Sequence, residues 1–287
     1  MGLDWLAITL GATVLWGLGT LAAKPSTDRV GPRKMALGAT LVEGIVFAVV
    51  GFAMPRGPFP PDALTIAAAV AAGTWGSVGY IFFYEGMRLG SVGLVGTVSA
   101  AYPILTVALS VLILREPLGG FQALGIALTI LCVLLLAYDP KRGDKARRTA
   151  VVLSLLGFFV WGLWGFLVKA SVGALGQGNL DLLLASAYFG VTAAYAALPR
   201  RGLPPTDPPS RRAWSLALFV FLAGAVGAVG LAIAYELGPA DLVSPVSGTY
   251  PIISTLGAAA VLKEKLTWRV AVALVAFGLG IALLSVV

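Results

Sequence analysis

The chain has 287 residues, 59% of them hydrophobic and only 11% charged, with a mean hydropathy of +0.93. No water-soluble domain could hide that much apolar surface, so the chain is placed in a bilayer, and its net charge of +7 is to be read there and not as a nucleic-acid footprint. With no histidine and a single cysteine, Cys132, an internal disulfide, histidine-dependent zinc sites and Ser-His or Cys-His nucleophile pairs are excluded, which removes most of the support for a hydrolytic enzyme.

In chain order, apolar runs of membrane length are predicted near 5–23, 36–54, 64–86, 92–113, 121–138, 150–168, 182–198, 213–235, 240–262 and 268–286. The first is kept as a helix, because Met1 to Trp5 lacks the basic start of a signal peptide. Polar connections are predicted at Pro25 to Lys34, Pro55 to Asp62, Asp139 to Arg148 and the proline-rich Pro199 to Arg212. The expected fold is all-α: ten transmembrane helices, with residues 1–138 and 150–287 as two five-helix repeats and 139–149 as their linker. Five is odd, so the second repeat enters the membrane from the opposite side, and the inverted halves enclose a central cavity.

The repeat is written in the residues. Leu89 to Leu118 returns as Leu237 to Leu266 at an offset of 148, with 12 of 30 positions identical. Residues 14–24 (VLWGLGTLAAK) return as 159–169 (FVWGLWGFLVK), pairing Trp16 with Trp161 and Lys24 with Lys169. In the third and eighth predicted helices, Gly73, Gly76, Gly79, Tyr84 and Glu85 match Gly224, Gly227, Gly230, Tyr235 and Glu236 at an offset of 151. These glycine stripes suit close helix packing or a sliding surface.

The candidate binding residues follow from the repeat. Pro103 and Pro251 each remove the hydrogen bond to the carbonyl four residues earlier, which belongs to Ser99 and Ser247, and so mark a kinked helix pair bordering a cavity. Ser244 shares a face with Ser247 and Pro251, while Tyr102 and Tyr250 sit beside those faces with an apolar ring and a polar tip. Trp16 and Trp161 lie half-way along their spans, away from the interfacial belt, and Trp164 is one turn from Trp161. Glu43 is the carboxylate deep inside a span, costly to bury and therefore a candidate for function. Glu85 and Glu236 lie near helix ends, where snorkelling or capping suffices, and Glu116 and Glu264 follow basic residues as ion pairs at helix ends. Each of these groups has a plain packing role beside its functional one.

Of the 20 basic residues, 17 fall on one side of the expected topology and Arg56, Arg115 and Lys169 on the other. The positive-inside rule makes the crowded side cytoplasmic and puts both termini outside.

Two five-helix halves, each with a Tyr-Pro helix and a closing Arg115-Glu116 or Lys263-Glu264, resemble the drug/metabolite transporter superfamily, EamA type. The WGLG at 16–19 and the aromatic residues of the cavity helices look most like the YddG-like aromatic amino acid exporters. Lys263-Glu264-Lys265 departs from the Gly-Glu of many members. The resemblance implies export of amino acids, aromatic or large apolar ones first, or of related metabolites across a bacterial inner membrane. It implies alternating access, no cofactor and no metal, and it leaves the oligomeric state open, with a monomer sufficient. A proton-coupled drug or cation exporter working through Glu43 is the alternative, and a membrane-embedded enzyme the remote one.

Overall fold

A computed structural model describes residues 4–56, 62–113, 115, 119–137, 145–199, 209–238, 240–263 and 266–284. Its ordered elements are α1 (Asp4–Val30), α2 (Pro32–Ala53), α3 (Ala63–Leu89), α4 (Val92–Ala100), α5 (Pro103–Ile113), α6 (Gly120–Ala137), α7 (Lys145–Ala197), α8 (Arg211–Leu237), α9 (Ala240–Ser247), α10 (Tyr250–Val261) and α11 (Trp268–Leu284). No strand occurs among the described residues. Among the described residues, six segments are long and apolar enough to cross a membrane. Their outward faces carry bare Val49, Phe52, Leu64 and Leu112, and the shorter apolar α11 carries Trp268 and Val275, which only lipid tolerates in such number.

Three expectations are corrected. The polar stretch from Pro25 to Lys34 is not a loop: α1 runs through Pro25 to Val30, and α2 starts at Pro32 with only Gly31 between them. Ser26, Thr27 and Val30 are buried there and the Thr27 hydroxyl returns to the Ala23 carbonyl, so residues that read as loop are held inside the bundle, with the Ser26 hydroxyl left without a hydrogen-bond partner among the described residues. The reversal is carried by Gly31 at φ 91°, followed by proline at the first turn of α2. Second, the runs 92–113 and 240–262 are not merely kinked. Each is broken into two helices, at Ala101-Tyr102 and Gly248-Thr249, and the Ser99 carbonyl is not left free but accepts the Tyr102 amide at 3.4 Å.

Third, α3 and α8 repeat at 148, not 151. Asp62 and Ser210 cap their first turns and Gly90 and Gly238 their last, each pair 148 apart. A slip of three residues keeps a helical face nearly in place, and a glycine every third position disguises it. Tyr84 therefore corresponds to Ala232, and Tyr235 to Met87.

The two halves of the chain make matched contacts. Lys24 Nζ donates to the Met87 carbonyl at the end of α3 (2.8 Å), and Lys169 Nζ to the Tyr235 carbonyl at the end of α8 (3.0 Å). Arg115 and Lys263, also 148 apart, both take left-handed φ (60° and 56°) just beyond α5 and α10. The expected ion pairs at these turns involve Glu116 and Glu264, which lie outside the described residues. The most extensive packing is α3 on α7 and α1 on α8, followed by α6 on α11 and α2 on α7.

A lysine that satisfies helix-end carbonyls contributes about 1.5–3 kcal/mol through its charged hydrogen bonds. Lys169→Met is expected to destabilise the protein by that amount, and exposed Arg29→Met by less than about 0.5 kcal/mol. Thermal unfolding in detergent compares the two.

Candidate functional site

The site starts from glycine. Where α7 crosses α3, Gly79 leaves room for the Trp161 indole, whose Nε1 donates to the Gly76 carbonyl at 3.2 Å, while Gly76 itself lies against Trp164 and the Tyr188 hydroxyl. Where α1 crosses α8, Gly227 does the same for Trp16, with Nε1 on the Gly224 carbonyl at 3.1 Å, while Gly224 itself lies against the Tyr80 hydroxyl. The two tryptophan seats match, the glycines at an offset of 148 and the tryptophans at 145. The remaining glycines of the stripes are packing positions: Gly73 lies under Ala187 and Leu184, and Gly230 near Ile8 and Ala12.

Between these crossings is a cavity of about 680 Å³ of space free of atoms, part of it open to the outside. It is lined by Trp16, Gly19, Thr20 and Ala23 of α1; Glu43 of α2; Gly76, Tyr80, Phe83 and Tyr84 of α3; Tyr102; Trp161, Trp164 and Tyr188 of α7; Val220, Gly224 and Ala228 of α8; and Tyr250. Nine of these 17 residues are aromatic, which makes the wall one for a flat or bulky apolar body. The rings hold one another. Trp161 meets Tyr80 edge-on (centroids 5.7 Å) and Phe83 (5.4 Å), Tyr80 stacks on Tyr84 (6.0 Å), and Trp16 meets Tyr250 edge-on (5.9 Å).

One carboxylate faces this wall. Glu43 is 2% exposed; its Oε2 accepts the Tyr80 hydroxyl at 2.5 Å and its Oε1 the Tyr188 hydroxyl at 2.6 Å. No Lys or Arg is among the lining residues. Trp164, 4% exposed, has an indole N–H with no hydrogen-bond partner among the described residues. Together these groups offer a negative site and a spare donor inside an apolar shell. No group of three or more His, Cys, Asp or Glu among the described residues could hold a metal ion.

Of the candidate binding residues, Trp16, Glu43, Tyr102, Trp161, Trp164 and Tyr250 line the cavity. Five do not. Ser99 bonds the Ser154 carbonyl, Ser247 is tied to the Tyr102 hydroxyl at 2.5 Å, and Ser244 to the Tyr235 hydroxyl. Pro103 is packed against Gly248, and both Pro103 and Pro251 are buried as helix starts. Those polar side chains fasten helices to one another. Sequence reasoning missed Tyr80, Phe83 and Tyr188. The first two follow Gly76 at four and seven residues and so share its face, and Tyr188 lies 145 residues after Glu43, the separation that also relates Trp16 to Trp161. Glu85 is half of an ion pair with Arg88 (3.2 Å) at the end of α3, away from the cavity.

The sequence profile of the EamA-like transporter family matches this chain twice, over residues 3–138 and 148–286. The chain belongs to the EamA-like transporter family. It is thus a multi-pass membrane protein that carries small molecules, and a transporter family fits a protein that moves its ligand unaltered. A protein of Methanocaldococcus jannaschii, Uncharacterized protein MJ1333.1, is 29% identical over 133 residues, which are 96% of its length but only 46% of this EamA-like chain. A solved crystal structure of a protein 18% identical aligns with TM-score 0.68, covering 98% of this chain and 96% of that one, a likeness of fold.

A methyl group at Gly79 or Gly227 would run into the indole of Trp161 or Trp16. Gly79→Ala and Gly227→Ala are each expected to cost about 1–3 kcal/mol of stability by overpacking and to change indole fluorescence. Gly190→Ala, which meets open space, should be neutral or stabilising by roughly 0.5–1 kcal/mol.

Proposed function

We propose that this protein exports small organic molecules that combine an aromatic or large apolar body with an ammonium group, aromatic amino acids first among them, in the manner of the YddG-like exporters. The observation that carries the reading is Glu43, a carboxylate fixed by two tyrosine hydroxyls in an aromatic cavity without a basic lining residue. An ammonium placed there gains a counter-charge and ring faces together, each ring contact adding on the order of 1 kcal/mol. Trp164 Nε1–H is available to a substrate carbonyl or carboxylate oxygen.

The route we propose is alternating access between two inverted five-helix repeats, residues 1–138 and 150–287, joined by 139–149. Helix length supports ten spans. At 1.5 Å per residue the 53 residues of α7 would reach about 80 Å, more than twice the roughly 30 Å of hydrocarbon they have to cross. Its break at Gly176 (φ 69°) divides it into two passes. With α4–α5 and α9–α10 as one broken span each, the passes number five per half, and the matched Trp-glycine and lysine contacts follow from such a duplication. The charge asymmetry supports an orientation with both termini outside the cytoplasm, and export from the cytoplasm of a bacterial cell is carried by the resemblance to the YddG-like exporters alone.

A second reading, a proton-coupled exporter of cationic drugs, is favoured by the same carboxylate, since Glu43 has no basic partner among the described residues. The two part in a liposome counterflow panel of tryptophan, phenylalanine, alanine, lysine and a hydrophobic monocation at several pH values. Exchange of the aromatic amino acids with little pH dependence supports the first. Steeply pH-dependent exchange of the monocation alone supports the second, and exchange of neither refutes both. Tyr250→Ala is expected to lower aromatic exchange about 5–10-fold and alanine exchange less, since it removes a ring contact and its mate on Trp16. Glu43→Ala is expected to lose at least about tenfold for every ammonium substrate, and an unchanged rate in folded protein would return Glu43 to a structural role.

A further inference from the structure

Outside the cavity one polar cluster has no part in the reading above. α7 breaks at Gly176, and its second segment begins with Gln177, Asn179 and Asp181, which are 3%, 5% and 0% exposed. Gln177 Nε2 donates to Asp181 Oδ1 at 2.7 Å, as residues four apart on one helical face can, and Asn179 Nδ2 returns to the Leu175 carbonyl. That leaves two fully buried acceptors, Gln177 Oε1 and Asp181 Oδ2, without a donor among the described residues. The backbone of Gly178 is pressed against the Met54 and Pro55 carbonyls beyond α2. From α8, the Glu236 carboxylate is within electrostatic range of Asp181.

The basic groups of this end are engaged elsewhere. Arg56 lies over the Phe52 ring with its guanidinium on the Phe52 carbonyl, and Lys169 Nζ is on the Tyr235 and Gly238 carbonyls. A buried carboxylate with an open oxygen and a second carboxylate nearby is costly unless positive charge joins it. The donor set is oxygen throughout, hard in character, and one carboxylate with neutral amide and carbonyl oxygens balances a single charge.

We propose that Asp181 and Gln177 form a binding site for an alkali-metal cation at the break in α7, next to the ends of α2 and α8. The cation takes Asp181 Oδ2 and Gln177 Oε1 as ligands and fastens the second segment of α7 against those two helix ends. This site is separate from the substrate cavity, and its occupancy does not depend on what the cavity carries.

The test uses the full chain purified in detergent. Apparent Tm is measured in choline chloride and then with sodium, potassium or lithium chloride replacing it at constant ionic strength. One of the alkali ions should raise Tm saturably, by about 3–5 °C at ten times its half-saturating concentration. Asp181→Asn, which keeps the shape and removes the charge, should abolish the ion dependence, and so should Gln177→Leu. Equal Tm in all four salts for the unaltered protein would overturn the proposal without any variant being needed. So would an ion dependence that survives Asp181→Asn. A Tm in choline that rises as pH falls, with no ion effect, would show instead that a proton neutralises Asp181.

Discussion

Everything in this protein hangs on two indoles seated on glycines. Inside a bilayer the burial of apolar surface drives nothing, because lipid is as apolar as a leucine side chain. Helices associate through close contact and through the few hydrogen bonds available. Gly76-Gly79 and Gly224-Gly227 allow that contact, and each admits an indole whose N–H finds a backbone carbonyl as its partner. The same tryptophans are the corners of the cavity: Trp161 carries Tyr80 and Phe83 on its edges, and Trp16 carries Tyr250. Packing and binding surface are therefore one set of atoms, which is why the cavity stays open between helices that otherwise close tightly.

The halves match in their scaffold and differ in their cavity. Tryptophan seats, lysine-bound helix ends and left-handed turns recur at 145 or 148 residues. Tyr80, Phe83 and Tyr84 have Ala228, Leu231 and Ala232 as their counterparts, and Glu43 faces Tyr188. Tyr102 bonds Ser247, whereas Ser99, the counterpart of Ser247, bonds the Ser154 carbonyl. Duplication supplied two equal frames, and the ring-bearing and charged positions then diverged so that the α3 wall of the cavity became aromatic and the α8 wall smooth. A ligand with an apolar body and one charged end needs that inequality.

What could be read from the sequence was whatever repeated. Composition placed the chain in a membrane, and the paired Trp16/Trp161 and Tyr102/Tyr250 named four cavity residues because the duplication kept them. Glu43 was legible through the cost of a carboxylate in that setting. Tyr80 and Phe83 were not, since they have no partner in the second half and the slip of three residues in α8 hid the face they share with Gly76. Ser99, Ser244 and Ser247 misled for a different reason. The hydroxyls of these serines are each bonded to a group on a neighbouring element, Ser99 to the Ser154 carbonyl, Ser247 to Tyr102 and Ser244 to Tyr235, so the residue signals a joint and not an opening. The break between the runs 150–168 and 182–198 was legible, but its tightness at Gly176 was not, since polar Gln177, Asn179 and Asp181 resemble a loop but begin a helix.

The central claim is that the transported molecule sits in the aromatic cavity beside Glu43. The most direct measurement is substrate protection of a thiol placed in its wall. In a Cys132→Ala background, Ala228→Cys sets a thiol in the lining, and its alkylation rate is followed in membrane vesicles as substrate is added. The account predicts that a substrate exchanged in liposomes slows alkylation saturably, with the half-saturation seen for exchange, and that Glu43→Ala removes the protection. An alkylation rate unchanged at concentrations that saturate exchange would place the substrate elsewhere and contradict the account.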